Sequence, residues 1–206
     1  MRRIEVAPAR LAGWLDGFQA RHGTLTFATE TDVVALVGAD GVTAVLVPPF
    51  PPFRADPQAP YAGLVAHVSR PRTVGLLLVR RGGFGVGVGR AGRLLASKVG
   101  TRYVQSRTAA GGWSQQRYAR RRANQTAELV GAAAEQAERL LASRVDELDA
   151  VVVGGDRRLV RTVLEEPRLA KVAALVTGRV LDVADPRQQV LEKALDRAGS
   201  CLIELS

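Results

Sequence analysis

The chain has 206 residues, of which 47% are hydrophobic and 24% charged, and its mean hydropathy is +0.02. This composition excludes general disorder, and the length predicts one domain with at most a small extension. The single cysteine excludes an internal disulfide framework and a multi-cysteine metal site. No apolar run reaches the roughly 18 residues of a membrane-spanning helix. We therefore expect a cytoplasmic protein.

The positive charge is concentrated in the middle third of the chain. The 29 Lys and Arg residues exceed the 20 Asp and Glu residues by nine. Residues 57–127 contain 13 basic residues and no acidic one, whereas the rest of the chain has 16 basic and 20 acidic residues. Because Arg and Lys neutralise phosphates and release counterions, this basic segment favours a nucleic-acid partner. The alternative is a solvated basic face.

The N-terminal third predicts a helix followed by a small β unit. Apolar residues at helical spacing indicate a helix over residues 8–21, and β-branched runs over 25–27, 33–37 and 42–47 indicate two or three strands. The proline-rich run 48–53 then predicts a linker. A polyproline ligand for an aromatic groove is the alternative.

A second group of strands begins near residue 72. Residues 73–79 read as a central strand, 84–89 as a strand with alternating glycines, and 94–99 as a third strand. Residues 87–92 also match the G-x-G-x-x-G pattern. A strand rather than a helix is predicted after it, which favours a tight hairpin over a dinucleotide site.

The remaining residues alternate helix and strand. We predict helices over 115–145, 156–164 and 186–198, and strands over 150–155 and 179–183; residues 172–176 fit either type. This order predicts an α/β (α+β) fold with a mixed β-sheet and flanking helices, plus a small N-terminal α/β extension.

The residues most relevant to function lie in the segment from Gly111 to Gln125. Two glycines let a loop tip approach a ligand closely, and Gln115 and Gln116 supply neutral amide donors and acceptors. Arginines crowd the start of the following helix and oppose its dipole, so an anion is expected there. The alternatives are an RNA-probing loop and a flexible basic loop that caps a helix. By contrast, His22, His67 and Cys201 lack the spacing of a metal or nucleophilic site.

This segment resembles the middle domain of eukaryotic and archaeal class I peptide-chain release factors, over roughly residues 72–200. That domain carries a Gly-Gly-Gln tip followed by Ser, Arg, an aromatic residue, Ala and Arg. Eight positions of this chain match the pattern: Gly111, Gly112, Ser114, Arg117, Tyr118, Ala119, Arg120 and Arg122. Trp113 occupies the glutamine position, and the glutamine is displaced to Gln115. This arrangement, with the glutamine displaced, resembles that of the Vms-like release factors (VLRF), especially their single-domain actinobacterial members.

The resemblance implies a ribonuclease H-like domain over residues 61–206, preceded by an extension over residues 1–60. It implies a peptidyl-tRNA hydrolase that rescues stalled ribosomes or large subunits without reading a codon, acts as a monomer and uses no cofactor or metal. Its partners would be peptidyl-tRNA and the rRNA of the peptidyl-transferase centre. The implied catalytic residues are Gly111, Gly112, Gln115 and Gln116. The implied RNA-binding residues are Arg102, Arg107, Trp113, Arg117, Arg120, Arg121 and Arg122.

Three alternatives stay open in this interpretation. In the first, Gln116 rather than Gln115 supplies the catalytic amide. In the second, Trp113 anchors its own loop instead of stacking on a base. In the third, the chain is a non-catalytic rRNA- or tRNA-binding factor. A nuclease acting on the tRNA acceptor end is disfavoured, because the basic segment has no carboxylate and a single histidine, His67.

Overall fold

A computed structural model describes residues 2–30, 32–54, 60–101 and 113–206. Over these residues the strands are β1 (Arg2–Val6), β2 (Thr26–Glu30), β3 (Val33–Val37), β4 (Thr43–Val47), β5 (Thr73–Arg80), β6 (Gly83–Arg90), β7 (Arg93–Thr101), β8 (Ala150–Gly155), β9 (Val176–Leu181) and β10 (Cys201–Leu205). The α-helices are α1 (Pro8–His22), α2 (Pro60–Ser69), α3 (Trp113–Leu140), α4 (Arg157–Leu164), α5 (Ala170–Ala174) and α6 (Gln188–Ala198). Within the described ranges, no helix combines the length and apolarity needed to span a bilayer.

Contacts divide the chain into two compact units. The first comprises Met1–Pro71 and Asp196–Ser206, and the second comprises Arg72–Leu195. In the first unit, five antiparallel strands lie in the order β1-β10-β4-β3-β2. Its core joins apolar residues of α1 and α2 to those of β3, β4 and β10, including Phe18, Leu36, Leu64 and Ile203.

The second unit contains a mixed sheet with strand order β7-β6-β5-β8-β9. Strands β5, β6 and β7 form an antiparallel meander, while β8 and β9 run parallel to β5. With β5 as the first strand, the order across the sheet is 3-2-1-4-5. The predicted α/β class with a mixed sheet and flanking helices is confirmed.

The alternating residues of β6 explain how helices cover both faces of this sheet. Phe84, Val86 and Val88 belong to the core cluster that includes the α3 residues Ala133, Ala134 and Ala137. The intervening glycines allow α6 to approach the other face. A Cβ at Gly89 would lie only 2.3 Å from Leu195 Cδ2, so small residues are required where this helix packs.

The locally patterned elements match their predictions closely. The predicted hairpin at residues 87–92 is confirmed, because Arg90 pairs with Arg93 across a two-residue turn. Residues 172–176, left open between strand and helix, contain the end of α5 and the first residue of β9. The helix predicted over 115–145 is α3, which starts at Trp113 and ends at Leu140, followed by a 3-10 helix over Ala142–Glu147. Strands β1 and β10 and helix α2 were not predicted.

Candidate nucleic-acid interface

The start of α3 holds the amides that the sequence singles out. Gln115 and Gln116 are the third and fourth residues of the helix, which begins at Trp113. Gly111, Gly112, Arg102 and Arg107 lie outside the described residues. Consecutive residues of an α-helix are rotated by about 100° around its axis, so the two glutamines occupy different sides of the helix.

Among the residues of α3 whose side chains the structure describes, those buried in the core lie in its second half. Its buried residues are Leu129, Val130, Ala133, Ala134 and Ala137. No residue of the helix that precedes Leu129 and has a described side chain is buried. At about 1.5 Å per residue, Gln115 lies roughly 21 Å along the helix from Leu129. The backbone of Gln115 and Gln116 therefore lies about 20 Å from the first deeply buried residue described in this helix.

The sheet shows in which direction this half of α3 extends. The far end of α3 lies near the amino ends of β5 and β8, since a Cβ at Gly75 would be 3.1 Å from both Leu141 Cδ2 and Val151 Cγ2. The N-terminal half of α3 therefore points towards the opposite edge, where β5, β7 and β8 end, here called the carboxyl edge. About 18 Å of helix separates Leu141 from Leu129, which is close to the roughly 17 Å of strand from Gly75 to Arg80 at the end of β5. Residues before Leu129 thus project beyond the carboxyl edge.

The projecting half of α3 is strongly basic. Arg117, Arg120 and Arg121 are exposed, and Arg122 is partly exposed. No carboxylate of the described residues pairs with any of these four guanidinium groups. The sequence has no acidic residue between Asp56 and Glu128 that would offset their charge. The arginines spread around the helix, so the projecting half presents positive charge on several sides.

The backbone adds to this positive potential. The first four N–H groups of an α-helix have no acceptor within the helix, and the helix dipole places partial positive charge at the same end. In α3 the N–H groups of residues 113–115, which include Gln115, are among them. The arrangement can therefore bind an anion or stabilise a developing oxyanion next to the amides.

Basic residues of the segment 57–127 lie at opposite edges of the second unit's sheet. Arg90 and Arg93 flank the β6–β7 turn, at the sheet edge opposite the carboxyl edge. At the carboxyl edge, Arg80 Nη1 donates to the carbonyl oxygen of Val183 at 2.6 Å, and its Nε lies 3.5 Å from Asp185 Oδ1. Arg80 is therefore engaged within its own unit. Arg117, Arg120, Arg121 and Arg122 of α3 have no such partner among the residues that the structure describes.

The histidines and the cysteine contact other parts of the first unit. His22 Nδ1 lies 2.8 Å from Asp40 Oδ2, and this hydrogen bond lowers the pKa of the Asp40 carboxyl group. His67 donates through Nε2 to the carbonyl oxygen of Pro49 at 2.9 Å, and Cys201 is buried. In the described ranges, no group of three or more His, Cys, Asp or Glu residues could hold a metal ion.

A further basic cluster was not singled out from the sequence. Arg157, Arg158 and Arg161 are exposed on α4, which begins just past the end of β8 at the carboxyl edge. They lie outside the acid-free segment, so the clustering of charge along the sequence does not reveal them. The signal was present in the amphipathic sequence of α4, where Val160 and Val163 form the buried face.

Comparison with known proteins gives one family match. The family model acVLRF1, described as the Actinobacteria/chloroflexi VLRF1 release factor, matches residues 72–204. The match includes the whole of α3 and the strands that anchor it. No curated protein matches the chain significantly.

Several solved structures are similar to the chain at low identity. The archaeal translation termination factor aRF1 is 16% identical with a TM-score of 0.47, over 95% of this chain and 63% of that chain. A structure described as an archaeal protein is 15% identical with a TM-score of 0.43, covering 95% and 65%. Pelota of Archaeoglobus fulgidus is 15% identical with a TM-score of 0.34, covering 95% and 62%. The chain thus spans less than two thirds of the length of each.

Proposed function

The chain belongs to the Actinobacteria/chloroflexi VLRF1 release-factor family, and from this membership we propose that it is a codon-independent peptidyl-tRNA hydrolase. Membership makes it a translation-related factor that acts with the ribosome. The proposed reaction is hydrolysis of the ester between a nascent peptide and the tRNA 3′-terminal adenosine, on stalled ribosomes or large subunits. The observation that carries the proposal is the projecting, acid-free half of α3, whose first turn contains Gln115 and Gln116.

The reach of α3 suits a substrate that lies deep within a larger particle. The ester of peptidyl-tRNA lies in the peptidyl-transferase centre, which is enclosed by rRNA. A helix that projects about 20 Å from its core anchor brings its first turn to such a site without moving the globular domain inside. The exposed guanidinium groups of Arg117, Arg120 and Arg121 would then face RNA phosphates along the way.

In the proposed reaction, water attacks the ester carbonyl carbon, and the bond to the tRNA 3′ oxygen breaks. Gln115 orients the water, because an amide is a poor general base and contributes mainly through positioning. The N–H groups at the start of the helix, which have no acceptor within the helix, stabilise the negative charge that develops on the carbonyl oxygen. The 2′-hydroxyl of the terminal adenosine supplies a further polar group, and the 3′ oxygen leaves with a proton. The products are a free peptide carboxylate and an intact tRNA.

The remaining assignments are part of the same proposal. Gly111 and Gly112 allow close approach of the backbone at the tip, and Arg102 and Arg107 join the α3 arginines in binding rRNA or tRNA. Trp113 stacks on a base, with anchoring of its own loop as the other possibility. The proposed catalytic module, residues 61–206, comprises the second unit together with most of α2 and the whole of β10 from the first unit, and residues 1–60 are an accessory extension. The protein acts in the cytoplasm as a monomer and needs no cofactor.

The decisive experiment measures release of nascent chains from purified ribosome–peptidyl-tRNA complexes that carry no stop codon. Wild type is compared with Gln115→Ala and with Gln116→Ala, which removes the same amide one residue further along the helix. We expect wild type to yield free peptide and intact tRNA. Gln115→Ala should release peptide about 100-fold more slowly while binding the complexes within twofold of wild type.

Each other outcome changes the assignment in a defined way. Selective loss in Gln116→Ala moves the working amide by one residue and keeps the activity. Binding of wild type without any release overturns the hydrolase and leaves an RNA-binding factor. A shortened tRNA 3′ end in the products would identify a nuclease instead.

A further inference from the structure

Helix α4 presents a compact cationic surface that the proposed active site does not use. Arg157, Arg158 and Arg161 are exposed, while Val160 and Val163 on the opposite side are buried at 4% and 0% exposure. At about 100° per residue, the three arginines fall within an arc of roughly 100°. We call these three residues the α4 patch. No ion pair joins any of them to a residue within the described ranges.

The α4 patch lies at the same sheet edge as the projecting half of α3. Strand β8 runs parallel to β5 and ends at Gly155, and α4 begins two residues later. Helices α3 and α4 cover the same face of the sheet, because Val160 and Val163 share a core cluster with Ala133 and Ala137. The patch therefore lies at the base of the projecting basic half of α3, about 20 Å behind its first turn.

The charges of the patch do not help α4 itself. Basic side chains in the first turn of a helix oppose its dipole, and Arg157 and Arg158 are its first two residues. Asp156 offsets this by capping the helix, accepting from the N–H groups of Arg158 at 2.9 Å and Leu159 at 3.3 Å. Glu165, directly after α4, is the nearest acidic residue further along its sequence. A positive surface at a helix start is a favourable place for an external polyanion.

We propose that the α4 patch binds the phosphate backbone of large-subunit rRNA, as a second contact separate from the α3 arginines. The inference rests on the proposed function only in taking the large subunit as the partner. If the first turn of α3 reaches the peptidyl-transferase centre, a surface about 20 Å behind it still lies within the surrounding rRNA. Three guanidinium groups on one helix face are suited to successive phosphates of a single strand.

The test compares two double variants that remove equal charge from opposite edges of the same sheet. Arg157→Ala/Arg161→Ala removes two charges from the α4 patch, and Arg90→Ala/Arg93→Ala removes two from the β6–β7 turn. Binding of each full-length variant to purified large subunits is measured by sedimentation over a range of salt concentrations. Binding to isolated tRNA is measured in parallel. Thermal unfolding confirms that each variant is folded.

We expect the α4 variant to bind large subunits roughly tenfold more weakly, with a log–log salt slope shallower by about 1.5. Arg90→Ala/Arg93→Ala should bind within twofold of wild type, and Arg157→Lys/Arg161→Lys should retain most of the affinity. Equal weakening by the two alanine variants would mean that only net charge matters and would overturn the inference. An equal loss of affinity for isolated tRNA would assign the patch to tRNA and overturn the choice of rRNA.

This result is independent of the hydrolase assignment. If wild type releases no peptide but the α4 variant binds large subunits more weakly than wild type does, the proposed activity fails and the rRNA contact stands. If wild type releases peptide and the α4 variant binds large subunits as well as wild type does, the activity stands and the rRNA contact fails.

Discussion

Two glycines of the second unit differ in whether their surroundings leave room for a Cβ atom. Gly155 has a φ of +93°, and a Cβ there would lie 2.2 Å from the carbonyl oxygen of Val79 in the neighbouring strand. Gly131 is exposed within α3, and a Cβ there would meet nothing within 4 Å. The same change from glycine to alanine therefore has different consequences at the two positions.

We predict that Gly155→Ala lowers the free energy of unfolding by about 2–4 kcal/mol, through backbone strain and a clash that cannot be relieved locally. Gly131→Ala should raise it by about 0.5–1 kcal/mol, since alanine costs less backbone entropy in a helix. Urea unfolding followed by circular dichroism measures both changes. Two changes of the same sign would contradict this account of the β5–β8 pairing.

At the scale of elements, α4 depends on the cap that begins it. The Asp156 carboxylate is the acceptor for two otherwise unsatisfied N–H groups of the first turn, and its negative charge lies beside Arg157 and Arg158. Without the cap, two basic residues would remain at the positive end of the helix dipole.

We predict that Asp156→Ala lowers the free energy of unfolding by about 1–2 kcal/mol. Asp156→Asn is the matched control, because its side-chain oxygen still accepts both hydrogen bonds while the charge is removed; it should lose less than half as much. Thermal unfolding at low salt measures the difference. If both variants lose the same amount, the charge rather than the hydrogen bonds stabilises α4.

At the scale of the whole molecule, the two units differ in charge. Arg72–Leu195 contains 22 basic and 12 acidic residues, a net charge of +10, whereas the rest of the chain has 7 basic and 8 acidic residues. The first unit therefore has almost no net attraction for a polyanion. The excess positive charge belongs to the unit that contains α3.

We predict that binding of the intact protein to large subunits weakens steeply with added salt. If Arg117, Arg120, Arg121 and Arg122 each neutralise a phosphate, they alone contribute a log–log slope of about −3, so that affinity falls at least roughly 60-fold between 50 and 200 mM salt. Equilibrium sedimentation over this range measures the slope. Binding that does not change with salt would exclude phosphate contacts as the main source of affinity.

Several features of the protein can be predicted from residue spacing and charge along the sequence alone. The strands over residues 73–99, the long helix that follows and the confinement of the basic segment between Asp56 and Glu128 are all readable from spacing and charge. The motif from Gly111 to Arg122 was sufficient to predict a release-factor family, and the family match confirms that prediction. The roles of Gln115 and its neighbours stay predictions.

The contacts between residues far apart in sequence are seen only in the folded structure. Strand β10 inserts between β1 and β4, pairing Ile203 with Leu46 and Ile4, although nothing in its five residues specifies these partners. Likewise, the sequence does not show that α4 begins at the edge from which α3 projects. That proximity follows from β8 running parallel to β5. Periodicity reports the environment of each residue, whereas hydrogen bonding between strands far apart in sequence selects the neighbours, and the shape of the candidate site depends on those neighbours.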